Sequence, residues 1–140
     1  MYVSDCISIN GEGNLTIGGA DTVQIAKEYG TPVYVFDENE IRTNLRAFRD
    51  SMNEYYGGNG LAVYASKAFC CKEMCRICKS ENVGMDVVSG GELFTALSVD
   101  FPAERIVFHG NNKTQEEIEF AVKNNVGCFV VIIMIMRRYL

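Results

Sequence analysis

The sequence predicts an α/β fold built from parallel β/α units. Short apolar runs such as LAVYA (61–65) and RIVF (105–108) alternate with amphipathic segments of nine to twelve residues. Continuous apolar runs are typical of strands buried on both faces, and strands that alternate with helices are typical of parallel crossover units. With 140 residues, of which 48% are apolar and 22% charged, the chain has the composition of one modest globular domain.

We treat residues 1–30 as an amino-terminal segment with one short helix. Asp21 is placed as the N-cap of this helix and Gly30 as its C-cap. Between these caps, Val23, Ala26 and Tyr29 recur at helical spacing and form an apolar stripe.

Residues 31–129 hold the predicted β/α units. PVYVF (32–36) has strand character, and the helix after it begins with Asp37 and Glu40 at the spacing of a capping box. The predicted elements that follow are a strand at 61–65, a helix at 70–81, a strand at 84–88, a helix at 89–99 with Ser89 and Glu92 at capping-box spacing, a strand at 105–110, a helix at 114–125 with Thr114 and Glu117 at the same spacing, and a strand at 126–131.

Polar residues cluster where three of these strands end. The clusters are SKA (66–68), DVVSGGE (86–92) and HGNNKT (109–114). The carboxyl ends of parallel strands meet at one edge of the sheet, where ligands bind in both open and closed α/β folds. We therefore expect the candidate chemistry to lie along one edge.

The charge of the chain favours a small molecule as its ligand. The formal net charge is −5 and no basic run is present, which argues against nucleic acid or an anionic membrane surface as a partner. The amino-terminal residues lack the charged head and apolar run of a secretory signal, so we expect a cytoplasmic protein with reduced cysteines.

Cys71, Cys75 and Cys78 have the C-x3-C-x2-C spacing with which radical enzymes hold an iron–sulfur cluster, and those enzymes also carry a Gly-Gly-Glu run like residues 90–92. At about 100° per residue, however, the cysteines share one helical face with Met74 and Ile77. Free cysteine behaves as a small buried hydrophobe. We expect core thiols and no metal; an iron–sulfur enzyme remains an alternative that iron content would distinguish.

Lys67 follows the predicted strand LAVYA by one residue. A lysine at the carboxyl edge of a parallel sheet can act as an amine nucleophile toward a carbonyl group. The alternative is a solvated lysine in a turn, because most lysines are exposed.

The chain from residue 31 to about 129 resembles the amino-terminal part of the diaminopimelate decarboxylases. The matching stretches are GTPVYVFDENEIRTNLRAF, YASKAF, GMDVVSGGEL, ERIVFHGNNKT and NNVGCF, in the family's order and spacing. The resemblance implies a fold-type-III enzyme that uses pyridoxal 5'-phosphate (PLP) and is a homodimer at full length. It also implies a partial (β/α)8 TIM barrel of the alanine racemase and ornithine decarboxylase type, with about half of the barrel present here.

The resemblance also assigns roles to particular residues. Lys67, in YASKA, matches the lysine that binds the cofactor covalently, and Asp86, in GMDVV, matches an acidic position beside that lysine and the cofactor. His109, in HGNNKT, lies in a loop at the barrel mouth, where a contact with cofactor or substrate is expected. From the local sequence, Asp86 can equally cap the next turn, and His109 can be satisfied by its own backbone. The implied substrate is meso-2,6-diaminopimelate, which yields L-lysine and carbon dioxide.

In the family, the phosphate-binding loop and the acidic partner of the pyridine nitrogen lie in later segments. We therefore expect the isolated chain to be inactive. The alternatives are a decarboxylase of another basic amino acid on the same fold, or a non-catalytic remnant.

Residues 130–140, VVIIMIMRRYL, form an atypical apolar tail. The tail is too short to span a bilayer, for which about 20 residues are needed. A polar, acidic continuation would suit the family better, so we hypothesise that the tail is frameshifted; sequencing of the gene locus tests this.

Overall fold

The structure is a computed structural model that describes residues 4–131. The chain divides into two compact units between Asn44 and Leu45, and each unit is described by itself. Of the predicted tail at 130–140, residues 132–140 lie outside the described residues. The predicted segment boundary at residue 30 stays a prediction.

The first unit contains a small antiparallel sheet that the sequence analysis did not predict. Its strands are β1 (Ile7–Ile9), β2 (Leu15–Ile17) and β3 (Ala20–Asp21), which pair in chain order. Helix α1 (Thr22–Tyr29) follows at once, and the predicted caps at Asp21 and Gly30 are confirmed. None of the α1 residues is buried, so its apolar stripe forms no core.

Asp21 is the best-connected side chain of this unit. Its Oδ1 accepts the N–H groups of Val23 and Gln24 at the start of α1. Its Oδ2 accepts the side-chain amides of Asn10 and Asn14 at 2.8 and 2.9 Å. These hydrogen bonds, that of Asn14 above all, hold the pKa of the carboxyl group below its usual value.

The strand predicted at 32–36 is wrong, because this stretch belongs to neither sheet and pairs with no strand in residues 4–131. Val33, Tyr34 and Phe36 are exposed, so high strand propensity does not find a neighbouring strand here. Helix α2 (Glu38–Tyr56) begins as predicted, since Asp37 Oδ1 accepts the N–H groups of Asn39 and Glu40.

The second unit contains a parallel sheet of four strands among the described residues, which confirms the predicted α/β class. The strands are β4 (Val63–Ala65), β5 (Gly84–Val87), β6 (Ile106–Phe108) and β7 (Cys128–Phe129), in that spatial order. The helices between them are α3 (Lys72–Ser80), α4 (Gly90–Leu97) and α5 (Gln115–Lys123).

The two faces of this sheet differ. Side chains alternate along a strand, and Met85, Val87, Ile106 and Phe108 lie fully buried on one face. The helix residues that complete the core are Met74, Cys75, Ile77, Cys78, Leu93, Ala96 and Ala121. The register pairs Ala65 with Asp86, Asp86 with Val107 and Val107 with Cys128, which places these residues on the other face.

A shared feature of the second unit is a left-handed residue before each of the strands β5 to β7. Asn82, Asp100 and Asn125 have φ values between 54° and 59°. Asparagine and aspartate adopt this conformation more easily than other residues with a side chain. These residues follow the ends of α3, α4 and α5 by two or three positions, where the chain turns toward the next strand. Within residues 4–131, no helix has both the length and the apolar character that crossing a membrane requires.

Candidate functional site

Lys67 lies in a short 3-10 turn, Ser66–Ala68, directly after β4. Its side chain is exposed, and it forms no hydrogen bond or ion pair with the described part of the chain. The residue before it, Ser66, is only 1% exposed, and its hydroxyl oxygen lies 2.8 Å from the Asp86 carbonyl oxygen and 2.5 Å from Glu92 Oε2. The turn is thus anchored at Ser66, while the amine of Lys67 is free to react.

Asp86 is the third residue of β5 and pairs with Ala65, two residues before Lys67. Its Oδ1 is buried and has no hydrogen-bond partner within residues 4–131. The alternative role, capping the next turn, is not what the structure shows: the N–H of Val88, two residues on, donates to Glu92 instead. A buried carboxylate oxygen without a donor is unfavourable by about 1–3 kcal/mol and attracts a cation or an N–H group.

His109 follows β6, and its Nδ1 lies 3.6 Å from Asp86 Oδ2. The imidazole is 44% exposed and the Asp86 side chain 20% exposed. The backbone N–H of His109 donates to the Val87 carbonyl, which extends the sheet by one residue. The side chain therefore faces Asp86, and the pair is ionic whenever the imidazole is protonated.

The three residues expected at the site thus follow or belong to adjacent strands at one edge of the sheet. Asp86 and His109 are in direct proximity, and Lys67 stands at the end of the strand that pairs with Asp86. The arrangement combines an exposed amine, a partly buried carboxylate whose buried Oδ1 has no partner within residues 4–131, and a half-exposed imidazole. It can bind a carbonyl compound and stabilise positive charge on the nitrogen that results.

The capping box predicted at Ser89 and Glu92 is only half correct. Ser89 does cap α4, since its Oγ accepts the Glu92 N–H. The Glu92 carboxylate does not close the box: its Oε2 accepts the N–H of Val88 at 2.8 Å and lies 2.5 Å from Ser66 Oγ. Ser66 is 26 residues away in sequence, so no local pattern could have indicated this contact.

The capping box at Thr114 and Glu117 is confirmed, and it reaches further than predicted. Glu117 Oε2 accepts the Thr114 N–H, while its Oε1 accepts the N–H of Gly90 at the start of α4. A Cβ at position 90 would lie 3.0 Å from Glu117 Cγ, so glycine allows this approach. The two backbone hydrogen bonds, that of Thr114 first, lower the pKa of Glu117.

Lys113, which belongs to the polar cluster at 109–114, is a structural lysine. Its Nζ donates to the carbonyls of Gly110 at 2.6 Å and Val130 at 2.9 Å. The same ammonium lies 5.5 Å from the ring centroid of Phe108. Lys113 therefore ties the loop after β6 to the end of β7.

The structure accounts for the cysteines of α3 as core residues. Cys75 and Cys78 are 0% exposed, and burial raises the pKa of Cys75 to about 12 and that of Cys78 to about 11. Cys71 is the N-cap, and its Sγ accepts the Met74 N–H at 3.5 Å. Within residues 4–131, no three His, Cys, Asp or Glu side chains are grouped as metal ligands.

The chain shows clear similarity to known proteins. Residues 38–136 match the family model described as pyridoxal-dependent decarboxylase, pyridoxal binding domain. The diaminopimelate decarboxylase of Bacillus methanolicus is 45% identical over 131 residues, and that of Bacillus subtilis 46% identical over 131 residues. Each alignment covers 94% of this chain but 30% of the relative.

The fold is similar to that of a solved relative. The structure of diaminopimelate decarboxylase from M. jannaschii in complex with L-lysine has a TM-score of 0.80 and 36% identity. The match covers 94% of this chain and 31% of that chain. The barrel fold expected from the sequence is confirmed, and the described sheet is a part of it.

Proposed function

Because this chain belongs to the pyridoxal-dependent decarboxylase family, we propose that it is the amino-terminal part of an enzyme that decarboxylates meso-2,6-diaminopimelate to L-lysine. In this proposal Lys67 is the residue that binds PLP covalently. The observation that carries the assignment is the exposed amine after β4, which has no bond within residues 4–131, next to the strand that holds Asp86, whose Oδ1 has no partner in the same residues. The names of the relatives at 45% and 46% identity support the substrate.

The residues present fit this cofactor. PLP presents an aldehyde, which an exposed lysine amine can attack, and a charged nitrogen beside Asp86 would satisfy its Oδ1. The face that carries Asp86 is not the one the core helices cover, so a planar ring has access to this edge. When bound, PLP supplies an electron-withdrawing ring that accepts the electron pair released as carbon dioxide leaves.

Each of the three site residues then has a distinct role in this proposal. Lys67 would hold the cofactor through its side-chain amine. The Asp86 carboxylate favours the protonated state of a nearby nitrogen, because opposite charges within a few ångströms stabilise each other. The half-exposed His109 lies 3.6 Å from Asp86 Oδ2, where it can contact cofactor or substrate.

The described site is only part of what decarboxylation needs. The chain spans about 30% of the length of the curated relatives it matches, and the partners of the cofactor's phosphate and ring nitrogen belong to later segments of the family. We therefore propose that these 140 residues do not decarboxylate diaminopimelate unaided. In a full-length homodimer of the family, the same edge would form one wall of the site.

Covalent labelling tests the role of Lys67. The chain is incubated with PLP, and the amine nitrogen adds to the aldehyde carbon with loss of water. Borohydride then delivers hydride to the carbon–nitrogen double bond and leaves a stable secondary amine. Peptide mass spectrometry should find the label at Lys67 well above other lysines, and Lys67→Ala should remove it. Preferential labelling elsewhere would overturn the assignment.

A chimaera tests the substrate. Residues 4–131 replace the matching segment of the Bacillus subtilis relative, which is 46% identical. We expect carbon dioxide release from meso-2,6-diaminopimelate, none after Lys67→Ala, and at most slight turnover of ornithine or lysine. A chimaera that prefers ornithine or lysine would identify a decarboxylase of another basic amino acid. One that folds and binds PLP but turns over none of these substrates would indicate a non-catalytic remnant.

A further inference from the structure

We propose that Glu92 is a positioning residue for Lys67. Through the buried Ser66 hydroxyl, its carboxylate fixes the turn that carries the reactive amine. This inference rests on the proposed function of Lys67 and adds a residue to it that acts without touching the cofactor.

The first step of the argument is that Lys67 does not position itself. Its side chain forms no hydrogen bond or ion pair in the described structure, so the backbone of the Ser66–Ala68 turn determines where the amine starts. The side chains of that turn offer one buried anchor, Ser66, which is 1% exposed. A small displacement of this turn therefore moves the amine directly.

The second step is that the Ser66 hydroxyl joins three elements. Its Oγ lies 2.8 Å from the Asp86 carbonyl of β5 and 2.5 Å from Glu92 Oε2 of α4. A hydroxyl has one proton for these two acceptors, and a carboxylate is the stronger one. Glu92 is thus the principal partner of the residue that precedes Lys67.

The third step is that Glu92 is itself held from two sides. Its Oε2 also accepts the N–H of Val88, and its own N–H donates to Ser89 Oγ. The carboxylate therefore links the turn after β4 to the residue that follows β5. Since Asp86 lies two residues before Val88, the same contact also fixes the strand end that carries the second site residue.

Glu117 offers a matched control. Like Glu92, it belongs to a helix of this edge and accepts two hydrogen bonds, from the N–H groups of Gly90 and Thr114. Both of these bonds go to backbone outside the Ser66–Ala68 turn. A general effect of removing a carboxylate here would appear equally in Glu92→Ala and Glu117→Ala.

The test measures the rate at which PLP and borohydride label Lys67 in the 140-residue chain. We expect Ser66→Ala and Glu92→Ala each to slow labelling about tenfold, in line with the loss of a buried charge-assisted hydrogen bond. The double variant should be no slower than the slower single variant, because both substitutions break the same contact between Ser66 and Glu92. Glu117→Ala should label within about twofold of the unmodified chain.

Lys113 reports on general loss of structure in the same samples, since its amine is bonded to two carbonyls and becomes available only when the edge opens. Its labelling should stay low in every variant. If Glu92→Ala does not fold, Ser66→Ala decides, because it removes a single oxygen. Unchanged labelling in Ser66→Ala, multiplied effects in the double variant, or equal slowing in Glu117→Ala would overturn the proposal.

Amide hydrogen exchange gives a reading that needs no cofactor. In Glu92→Ala, exchange in the peptide 63–69 should rise about tenfold, whereas in Glu117→Ala it should not change. Unaltered exchange in Glu92→Ala would contradict the positioning role. An unmodified chain that does not label at Lys67 would instead contradict the proposed function, so the two failures are distinguishable.

Discussion

Glu81, which lies three residues before β5, and Asp86, the third residue of β5, are carboxylates with completely different surroundings. The Glu81 side chain is 6% exposed, and both of its oxygens are bound by Arg46, at 2.7 and 2.8 Å. Arg49 adds a contact to Glu81 Oε2 and donates to the Glu81 carbonyl. Asp86 has a half-exposed imidazole at 3.6 Å and a buried oxygen without a partner in residues 4–131.

The difference separates a residue that stabilises the fold from one that is available for function. Glu81 precedes β5 at the amino edge of the sheet, where conserved interactions in barrel folds serve stability. Asp86 lies toward the carboxyl edge, where barrel enzymes bind ligands. A buried carboxylate that is already paired is stable as it is. A carboxylate with an unsatisfied oxygen is stabilised when a cationic group binds beside it.

The largest expected effect comes from breaking the paired carboxylate. Arg46→Met keeps the apolar stem but removes the guanidinium that binds both Glu81 oxygens, while the Arg49 contact with Glu81 stays. We expect the free energy of unfolding to fall by about 3 kcal/mol in urea titrations. Arg76→Met is the control, because its partner Glu73 is exposed, and it should cost less than about 0.5 kcal/mol. Equal losses of unfolding free energy in Arg46→Met and Arg76→Met would mean that the burial of Glu81 does not affect how much its ion pair stabilises the fold.

The two lysines of the carboxyl edge extend the comparison. Lys113→Met retains the contact of the stem with Phe108 but loses two hydrogen bonds to carbonyls, so unfolding should become easier by about 1–2 kcal/mol. Lys67→Met removes an amine without such bonds and should leave stability within about 0.5 kcal/mol while PLP labelling disappears. Lys123→Met, at the exposed end of α5, controls for charge. A larger stability loss for Lys67→Met than for Lys113→Met would contradict the assignment of Lys113 as the structural lysine and Lys67 as the reactive one.

Asp86→Asn sharpens the comparison from the other side. The substitution removes the charge of a carboxylate whose Oδ1 has no donor, so stability should stay unchanged or rise by up to about 1 kcal/mol. Labelling of Lys67 by PLP should nevertheless slow, because the negative charge that favours a protonated nitrogen is gone. Urea titration and labelling on one sample measure both effects. A loss above about 2 kcal/mol would show that Asp86 is mainly structural.

The smallest effect near neutral pH concerns the buried thiols. The pKa values of Cys75 and Cys78 are raised in the folded state, so above the unfolded pKa of about 8.5 the unfolded chain loses protons that the folded chain keeps. Stability should therefore be complete below that pH and fall progressively as pH rises toward 11. Replacing both Cys75 and Cys78 by alanine should flatten this dependence of stability on pH. In the folded chain, the exposed Cys128 should react with alkylating reagents before the buried Cys75 and Cys78 do. An unchanged slope would exclude the thiols as its cause.

Local features were predictable from the sequence because their partners lie within a few residues. The caps at Asp21, Ser89 and Thr114, the alternation of strands and helices, and the place of Lys67 after an apolar strand are of this kind. The buried face of α3 was likewise predicted from helical periodicity, because Cys75 and Cys78 share it with Met74 and Ile77.

Contacts between residues far apart in sequence were decided by the tertiary structure. Arg46 binds Glu81, which is 35 residues away in sequence. The Glu92 carboxylate binds Ser66, 26 residues away, instead of completing its own capping box, and Lys113 donates to the carbonyl of Val130, 17 residues away. PVYVF has the composition of a strand but finds no strand to pair with in the described chain. The sequence determined which residues could form caps, strands and a reactive amine; packing determined which polar atoms were satisfied, because a hydrogen bond depends on where its partner lies in space.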